Sequence, residues 1–536
     1  MENNEEIFDY IVIGSGFGGA VSAMRLSEKG YKVLVIEKGK TYHSSDFPQT
    51  NWSFKKYFWL PALRWFGIQK LSLFREVFIL SGVGVGGGSL VYANTHMFPP
   101  VEFFQNPVWA DIKDWKKTLT PFYDKARFML GTVPNTSFDR ADQVLKELAI
   151  EMGRESSYKG VDVGVYFGDT ETETDPYFKG LGPQRKGCTQ CAGCMVGCRH
   201  NAKNTLDKNY LFFAQKNGTQ LLDETLAVKV EFDGTYYHIY TRSSTSFFNK
   251  KKKTYKSKGI VISGGVLGTM DLLLKQKHKY KTLPRLSNKL GENIRTNSES
   301  LLGVTSSKEK LNHGLAITSV FNPDDHTHIE VVKYPDRSNG MKLFATLAAG
   351  PGHPVIRAFR LMGNIITHPI QYIRMLVDGK WAEKSVIFLV MQTLDSSMRM
   401  VYKRFPLSGI SMKNKKENRV PAYIDIGQKV MYAYAKKVNG IPQNALTEVL
   451  FNIPSTAHIL GGCPMGLNEN EGVVNDRMQA FGYPEFYVLD GSIVPCNIGV
   501  NPSLTITALS EYAMSFIPEK QGNIIRPIEE ELSLKV

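Results

Sequence analysis

An α/β fold is predicted for this chain of 536 residues. It combines a Rossmann-like domain built from discontinuous segments with a second domain carrying a mixed or antiparallel sheet. Three observations predict it: a strand–glycine–helix–strand–acid unit at residues 9–39, a second strand–glycine–helix signature at 259–274, and a stretch of alternating strands with one amphipathic helix at 310–454. In the first unit, the apolar run Tyr10 to Ile13 reads as a buried strand. It breaks into Gly14-x-Gly16-x-x-Gly19, followed by a helix from Ala20 to Lys29 and a second strand, Lys32 to Ile36, that ends on Glu37. Gly14 permits a tight turn, Gly16 lets a pyrophosphate approach the backbone, and Gly19 allows close helix–strand packing. The helix N-terminus faces phosphate charge, and Glu37 can accept hydrogen bonds from ribose hydroxyls. A glycine turn in an ordinary βαβ unit leaves the acid unexplained, so the stretch is read as a dinucleotide site.

The elements that follow sort into the same two domains. Residues 52–74 are basic and aromatic, with Lys55-Lys-Tyr-Phe-Trp-Leu and Leu63-Arg-Trp-Phe. A second glycine-rich loop, Gly82-Val-Gly-Val-Gly-Gly-Gly-Ser-Leu-Val-Tyr-Ala-Asn94, has five glycines in seven residues and suits a backbone passing close to a flat or charged ligand. Its interspersed Val83, Val85, Leu90 and Val91 argue against a flexible linker. Helical periodicity runs from Asp114 to Leu130, and residues 154–186 are loop-like. Gly259-Ile-Val-Ile-Ser-Gly-Gly-Val-Leu-Gly268 then leads into Met270 to Leu274. The predicted nucleotide domain comprises 1–50, 76–110, 186–310 and 455–520. The substrate domain comprises 111–185 and 311–454, with 51–75 as an entrance or lid segment and 521–536 as a polar tail. No internal repeat is present.

Composition is that of a globular protein, with 42% hydrophobic and 22% charged residues. The formal charge of +14 includes the run Lys250 to Lys253. No nucleic-acid-reading motif accompanies it, so a solvated charge run is the reading and nucleic acid is rejected as a partner. The N-terminal Met-Glu-Asn-Asn-Glu-Glu lacks the basic and apolar regions of a signal peptide, and no apolar stretch is long enough to span a bilayer. Six cysteines, four of them clustered, do not resemble a secreted disulfide framework. A cytoplasmic protein is expected.

The C-terminal block carries the chemistry. It runs Ser455-Thr-Ala-His458-Ile-Leu-Gly-Gly-Cys-Pro-Met-Gly, continues through Tyr487-Val-Leu-Asp490-Gly491-Ser492, and ends in Gly499-Val-Asn501-Pro-Ser-Leu-Thr-Ile-Thr-Ala-Leu-Ser-Glu-Tyr512. Here the chain resembles the glucose–methanol–choline (GMC) flavin oxidoreductases, and within them the cholesterol oxidase-like branch with non-covalent FAD. The resemblance implies that His458 takes the alcohol proton and that Asn501 fixes the hydroxyl beside the flavin. It further implies that Asp490 and Gly491 contact the flavin phosphates or ribityl chain, and that the helix starting near Pro502 aims its N–H groups at the flavin pyrimidine. It adds Gly18, Gly82, Gly86, Gly87, Ser89, Asn94 and Val228 to the cofactor contacts. Set against the same pattern, Glu383 meets a glutamate that moves a proton during double-bond isomerisation, although a strand-end glutamate paired with Lys384 is the other reading. Where that branch has an Asn-Gly step against the flavin, this chain has Tyr92-Ala93-Asn94, leaving open which of Tyr92 and Asn94 touches the ring. The physical logic agrees: oxidising an alcohol needs a proton acceptor and a hydride sink, no side chain takes hydride, and histidine titrates near working pH.

Cys188-x-x-Cys191-x-x-Cys194-x-x-x-Cys198 has the spacing of bacterial ferredoxin ligands, with Arg199 where those have proline. An iron–sulfur centre, zinc, and reduced thiols or a conditional disulfide are the three readings. A cluster would carry electrons singly to a quinone or cytochrome instead of to O2, making the enzyme a dehydrogenase. The expected activity is FAD-dependent oxidation of a steroid-like or other hydrophobic alcohol. A lipid-associated flavin redox protein without alcohol oxidation is the reading from another class. The stretches 52–74 and 355–377 (Phe359, Leu361, Met362 and Ile365, with Arg357 and Arg360) suit peripheral contact with the inner membrane surface. Ordinary core packing is their alternative.

Overall fold

Residues 10–13 and 33–36 are apolar at every position and lie out of solvent, so they form neighbouring strands in the middle of a sheet. The computed structural model describes residues 6–535 except 249, 406–407 and 415–418. Strand Ile7–Ile13 pairs in parallel with Val33–Ile36 on one side and Lys252–Ile262 on the other. The full order of this seven-stranded sheet is Gln220–Leu222, Val33–Ile36, Ile7–Ile13, Lys252–Ile262, Tyr237–Ser243 and Thr225–Phe232, with Phe486–Val488 also joined in parallel to Lys252–Ile262. It therefore draws on the two ends of the chain and its middle, as the discontinuous reading requires. Gly14 ends the first strand at φ +100°, and a Cβ there would lie 2.1 Å from the Ser263 carbonyl oxygen. Only glycine fits that left-handed turn. Helix Phe17–Glu28 follows, buried along almost its whole length. It packs against Tyr210–Lys216 and Ser503–Ser515, and the latter also packs on Trp115–Met129.

The second sheet also has seven strands, and all its pairings are antiparallel. Its order is Ala345–Leu347, Gly440–Ala445, Ser300–Ser306, Ser385–Gln392, Thr327–Val332, Ile317–Phe321 and Lys159–Gly160. Helices Arg140–Glu151 and Asp425–Lys437 pack on it around a separate apolar core. Ser300–Ser306 thus belongs to this sheet, although the sequence division assigned residues up to 310 to the nucleotide part.

Two further segments differ from expectation. The end of the chain is no free polar tail: Ile528–Leu534 is helical, with Ile528 and Leu532 in the main core. Arg25 draws it in, binding Glu529 at 2.6 Å while also holding Glu28 and Glu511. Residues 52–74 are partly core, since Tyr57 and Ile68 are buried in one cluster with Tyr334 and Trp381. The 355–377 stretch forms two helices, Pro354–Thr367 and Pro369–Val377. Leu361 and Arg357 point inward, whereas Phe359, Met362, Ile366, Ile370 and Val377 are exposed. No helix among the described residues is long and apolar enough to cross a membrane.

Candidate active site

Two adjoining spaces share the glycine loops as a wall, and the second also reaches the antiparallel sheet. The first, about 860 Å³, is lined by Gly14, Gly16, Glu37, Gly82, Gly87, Val228, Arg242 and Lys275. The second, about 310 Å³, is lined by Gly16, Gly18, Tyr92, Ala93, Met195, His458, Asp490, Gly491, Asn501 and Ser503, with an apolar wall that includes Ile317, Val332, Ile387 and Leu389. Gly16, Gly82, Gly88, Lys70 and the Gly264–Gly268 turn border both. Volumes of this order suit an organic cofactor and a substrate.

The glycines of the first space do distinct jobs. A Cβ on Gly19 would stand 1.9 Å from the Gly14 carbonyl oxygen, and one on Gly18 would stand 1.8 Å from that of Leu489. Both positions are fixed by backbone packing. A Cβ on Gly16, Gly265 or Gly268 would meet nothing within 4 Å. Those backbones face open space at the wall of the cavity, the arrangement a bound dinucleotide needs. The two glycine loops touch, since a Cβ on Gly87 would fall 2.7 Å from Gly16 Cα. Glu37 lies at the end of its strand with Oε2 accepting from Ser15 N and Oγ and Oε1 accepting from Gly39 N. Lys70 brings positive charge to the wall, and burial lowers its pKa to about 8. These residues fit FAD.

Around the second space, His458 and Asn501 come together from segments 43 residues apart in sequence. His458 Nδ1 is engaged by Glu299, a carboxylate wholly out of solvent that also accepts from Ala457 N at 2.8 Å. A carboxylate at Nδ1 accepts a hydrogen bond from Nδ1–H and so fixes that tautomer, leaving Nε2 with a lone pair. Burial disfavours the imidazolium, but the charge and hydrogen bond of Glu299, with Glu330 behind, outweigh it and raise the His458 pKa. Asn501 Nδ2 donates to Glu330 Oε2 at 3.2 Å, and its Oδ1 is buried without a hydrogen-bond partner. Glu330 also bonds His328 at 3.1 Å. Asn297 ties the parts together. At φ +59° it accepts from Ile498 N and Gly499 N and donates to Val500 O, fixing the loop before Asn501 to the loop that carries Glu299. Helix Ser503–Ser515 begins after Pro502, and Pro502, Ser503 and Ile506 from its first turn line the cavity.

Several residues named from the sequence sit elsewhere. Glu383 lies in the one-turn helix Trp381–Lys384, its carbonyl bonded by Leu311 N, away from the cavity wall. The strand it was assigned to begins only at Ser385, so the carboxylate that reaches the hydroxyl site is Glu330 on strand Thr327–Val332. Asn94, at φ +58°, turns its amide to Cys194 Sγ, and Tyr92 lines the cavity instead. Ser89 points into its own loop, donating to Gly86 O and accepting from Leu206 N. Asp490 spends its oxygens on Ser492 and Thr269, shaping the turn at Gly491. Sequence reading missed Glu299 and Glu330. The available signals were an unbroken polar run, Thr296-Asn-Ser-Glu-Ser300, and an acid inside the apolar strand Ile329-Glu-Val-Val332.

Cys188, Cys191, Cys194 and Cys198 line one small cavity and are not joined by disulfides. Among the described residues no group of three or more His, Cys, Asp or Glu is placed to hold a metal ion.

The sequence matches the family described as GMC oxidoreductase over residues 8–295 and 422–510. It is 42% identical to a cholesterol oxidase of Acinetobacter baumannii, covering 97% of this chain and 96% of that protein. It is 43% identical to a cholesterol oxidase of Mycobacterium tuberculosis, covering 97% and 93%. Among solved structures, pyridoxine 4-oxidase from Mesorbium loti superposes with a TM-score of 0.61 at 13% identity, over 95% of this chain and 99% of that one. At that identity the likeness speaks for the fold alone. With family matches over both ends of the chain and relatives aligned along nearly its whole length, this protein belongs to the GMC oxidoreductases.

Proposed function

We propose that the protein oxidises the hydroxyl of a sterol, with FAD held in the glycine-lined space. The observation that carries this reading is that two unpaired acceptors, His458 Nε2 and Asn501 Oδ1, face one apolar cavity continuous with the dinucleotide channel. The relatives named cholesterol oxidases support the substrate class. Bound FAD supplies the hydride sink. The apolar wall excludes water and takes the ring system, while the hydroxyl reaches the polar end. Asn501 Oδ1 captures the hydroxyl, and neutral His458 removes its proton as the carbon gives up hydride. Protonated His458 would instead donate to the alcohol oxygen and block the reaction. Glu330, bonded to Asn501, is the carboxylate in reach for moving a proton on the ketone product.

Titrating the holoenzyme anaerobically with cholesterol and a 3β-hydroxysteroid panel tests this through loss of the oxidised-flavin absorbance. Bleaching that vanishes in His458→Ala with FAD still bound supports the reading. No bleaching by any steroid overturns it. The relatives' names favour O2 as acceptor. A second acceptor reading, a quinone or cytochrome, is favoured by one observation, the cysteine-lined cavity one residue from Met195 on the reaction-cavity wall. We also propose that helices Pro354–Thr367 and Pro369–Val377 rest on lipid. An insoluble substrate must be drawn from a bilayer, and the exposed Phe359, Ile366, Ile370 and Val377 make an apolar face flanked by Arg360 and Arg374.

A further inference from the structure

We infer that Glu448 is a positioning residue for the proposed reaction: its buried carboxyl clamps together the two chain segments that carry Glu299 and His458. This rests on the catalytic reading above and adds the group that holds the pair in register. The Glu299–His458 hydrogen bond joins residues 159 apart in sequence. Glu299 lies just before strand Ser300–Ser306, and His458 lies just after the two-residue strand Ser455–Thr456. A group that abstracts a proton has to be held within about 0.5 Å of its working place, so these two ends need a lock.

Glu448 supplies three bonds across that seam. Ser300 Oγ donates to its Oε2 at 3.0 Å and Leu301 N to its Oε1 at 3.2 Å, both from the two residues that follow Glu299. The amide of Ser455, three residues before His458, donates to the same carboxyl. Thr447, next to Glu448, adds a bond between its Oγ1 and Ser455 Oγ at 3.2 Å. From the other side, Glu299 accepts from Ala457 N at 2.8 Å and engages His458. The two carboxyl groups thus fasten the same two segments at successive points.

The clamp is itself fixed. Glu448 sits in the short helix Leu446–Phe451, after which the chain reverses at Asn452, φ +52°, before entering Ser455–Thr456. Arg357, wholly out of solvent, donates from Nη1 to the Glu448 carbonyl at 2.7 Å and ties this helix to Pro354–Thr367. Glu448 is buried too, and burial pushes its carboxyl up to about 8 despite the charge of Arg357. At neutral pH it is mostly the uncharged acid, which a glutamine matches in shape and in hydrogen-bonding groups. Leu301 lines the reaction cavity and Glu448 does not, so Glu448 acts on the reaction through the pair it holds.

Loosening the clamp has a specific consequence. His458 is faced by two carboxylates, Glu299 at Nδ1 and Glu330 behind, the latter also bonded to His328. Glu299 raises the imidazole pKa by direct contact, against burial, which lowers it. A slack Glu299 therefore lets the His458 pKa fall. A residue that only stabilised the fold would change yield and Tm and leave that titration where it is.

The test compares the FAD-loaded full chain with Glu448→Ala, Glu448→Gln and Ser300→Ala. The His458 ring is titrated by nuclear magnetic resonance on histidine-labelled protein, its signal assigned by its loss in His458→Asn. Reading the ring itself keeps it apart from the Glu448 carboxyl, which titrates in the same range. Turnover of cholesterol and flavin content are measured on the same samples. In Glu448→Ala the His458 pKa should drop and kcat should fall about 10²-fold, with KM and FAD content kept. Glu448→Gln should restore both, and Ser300→Ala, which removes one arm of the clamp, should fall between. An unmoved His458 titration in Glu448→Ala overturns the proposal, whatever happens to turnover. If that variant does not fold, Ser300→Ala decides in the same way. A shifted titration in protein that no steroid bleaches keeps the clamp and sinks the catalytic reading. Bleaching by sterol with an unmoved titration does the reverse.

Discussion

His458 works through the residue behind it. Glu299 holds Nδ1 and raises the imidazole pKa, so the neutral base prevails only at a pH higher than an unperturbed histidine would need. Activity, followed as kcat/KM, is therefore expected to rise with pH through an ionisation above the unperturbed value. In Glu299→Gln that ionisation should move to lower pH and the plateau should fall. An unmoved inflection would show that another group is being read. His458→Ala should lower kcat by roughly 10²- to 10⁴-fold, the usual worth of a positioned acid–base group, with FAD content unchanged. Far from the site, Arg25 balances three carboxylates in a mostly buried cluster. Arg25→Met should cost about 3–5 kcal/mol in denaturant unfolding, because it leaves buried negative charge uncompensated.

At the scale of elements, the first glycine turn separates folding from binding. Gly16→Ala adds a methyl into open cavity space at an ordinary φ of −70°. The chain should fold normally and lose FAD affinity, read by flavin content after gel filtration. Gly19→Ala drives a methyl into a backbone carbonyl and should yield little folded protein. The paired helices at 354–377 make a different prediction. Replacing Phe359, Ile366 and Ile370 together by aspartate should abolish sedimentation with sterol-containing vesicles and raise KM for vesicle-borne sterol. Turnover of detergent-dispersed sterol should be retained, since these side chains point away from the cavity. The βαβ element was legible in the sequence because a short continuous apolar run, a glycine turn and a helix are local features. Glu383 falls in the one-turn helix before strand Ser385–Gln392, because where that strand begins is set by its long-range pairing with Ser300–Ser306, which no local pattern records.

For the whole molecule, the reaction cavity lies where the antiparallel sheet meets the glycine loops that follow the first sheet. Val332 and Leu389 come from the antiparallel sheet, while Gly16 and Gly18 belong to the loop and helix of the first βαβ unit. A ligand that spans such a seam stabilises only the folded state. FAD at 100 times its Kd should add about 2.7 kcal/mol to unfolding, seen as a higher Tm in the holoprotein than in stripped protein. Equal melting temperatures would mean that the cofactor does not bind the folded seam.

The sequence by itself determined the nucleotide-binding turn, the discontinuous first sheet and the clustering of four cysteines, and it nominated His458 and Asn501, because each is written in short spacings or in a family pattern. Only the tertiary structure decided what stands behind those residues. Glu299 lies 159 residues from His458, and Glu330 lies 171 residues from Asn501. Lys203 meets Leu90 and Tyr92 of the second glycine loop only after that loop folds against its own. Spacing encodes contacts made within a turn, a helix or a strand, whereas long-range pairing depends on sheet order and register, which no local pattern records.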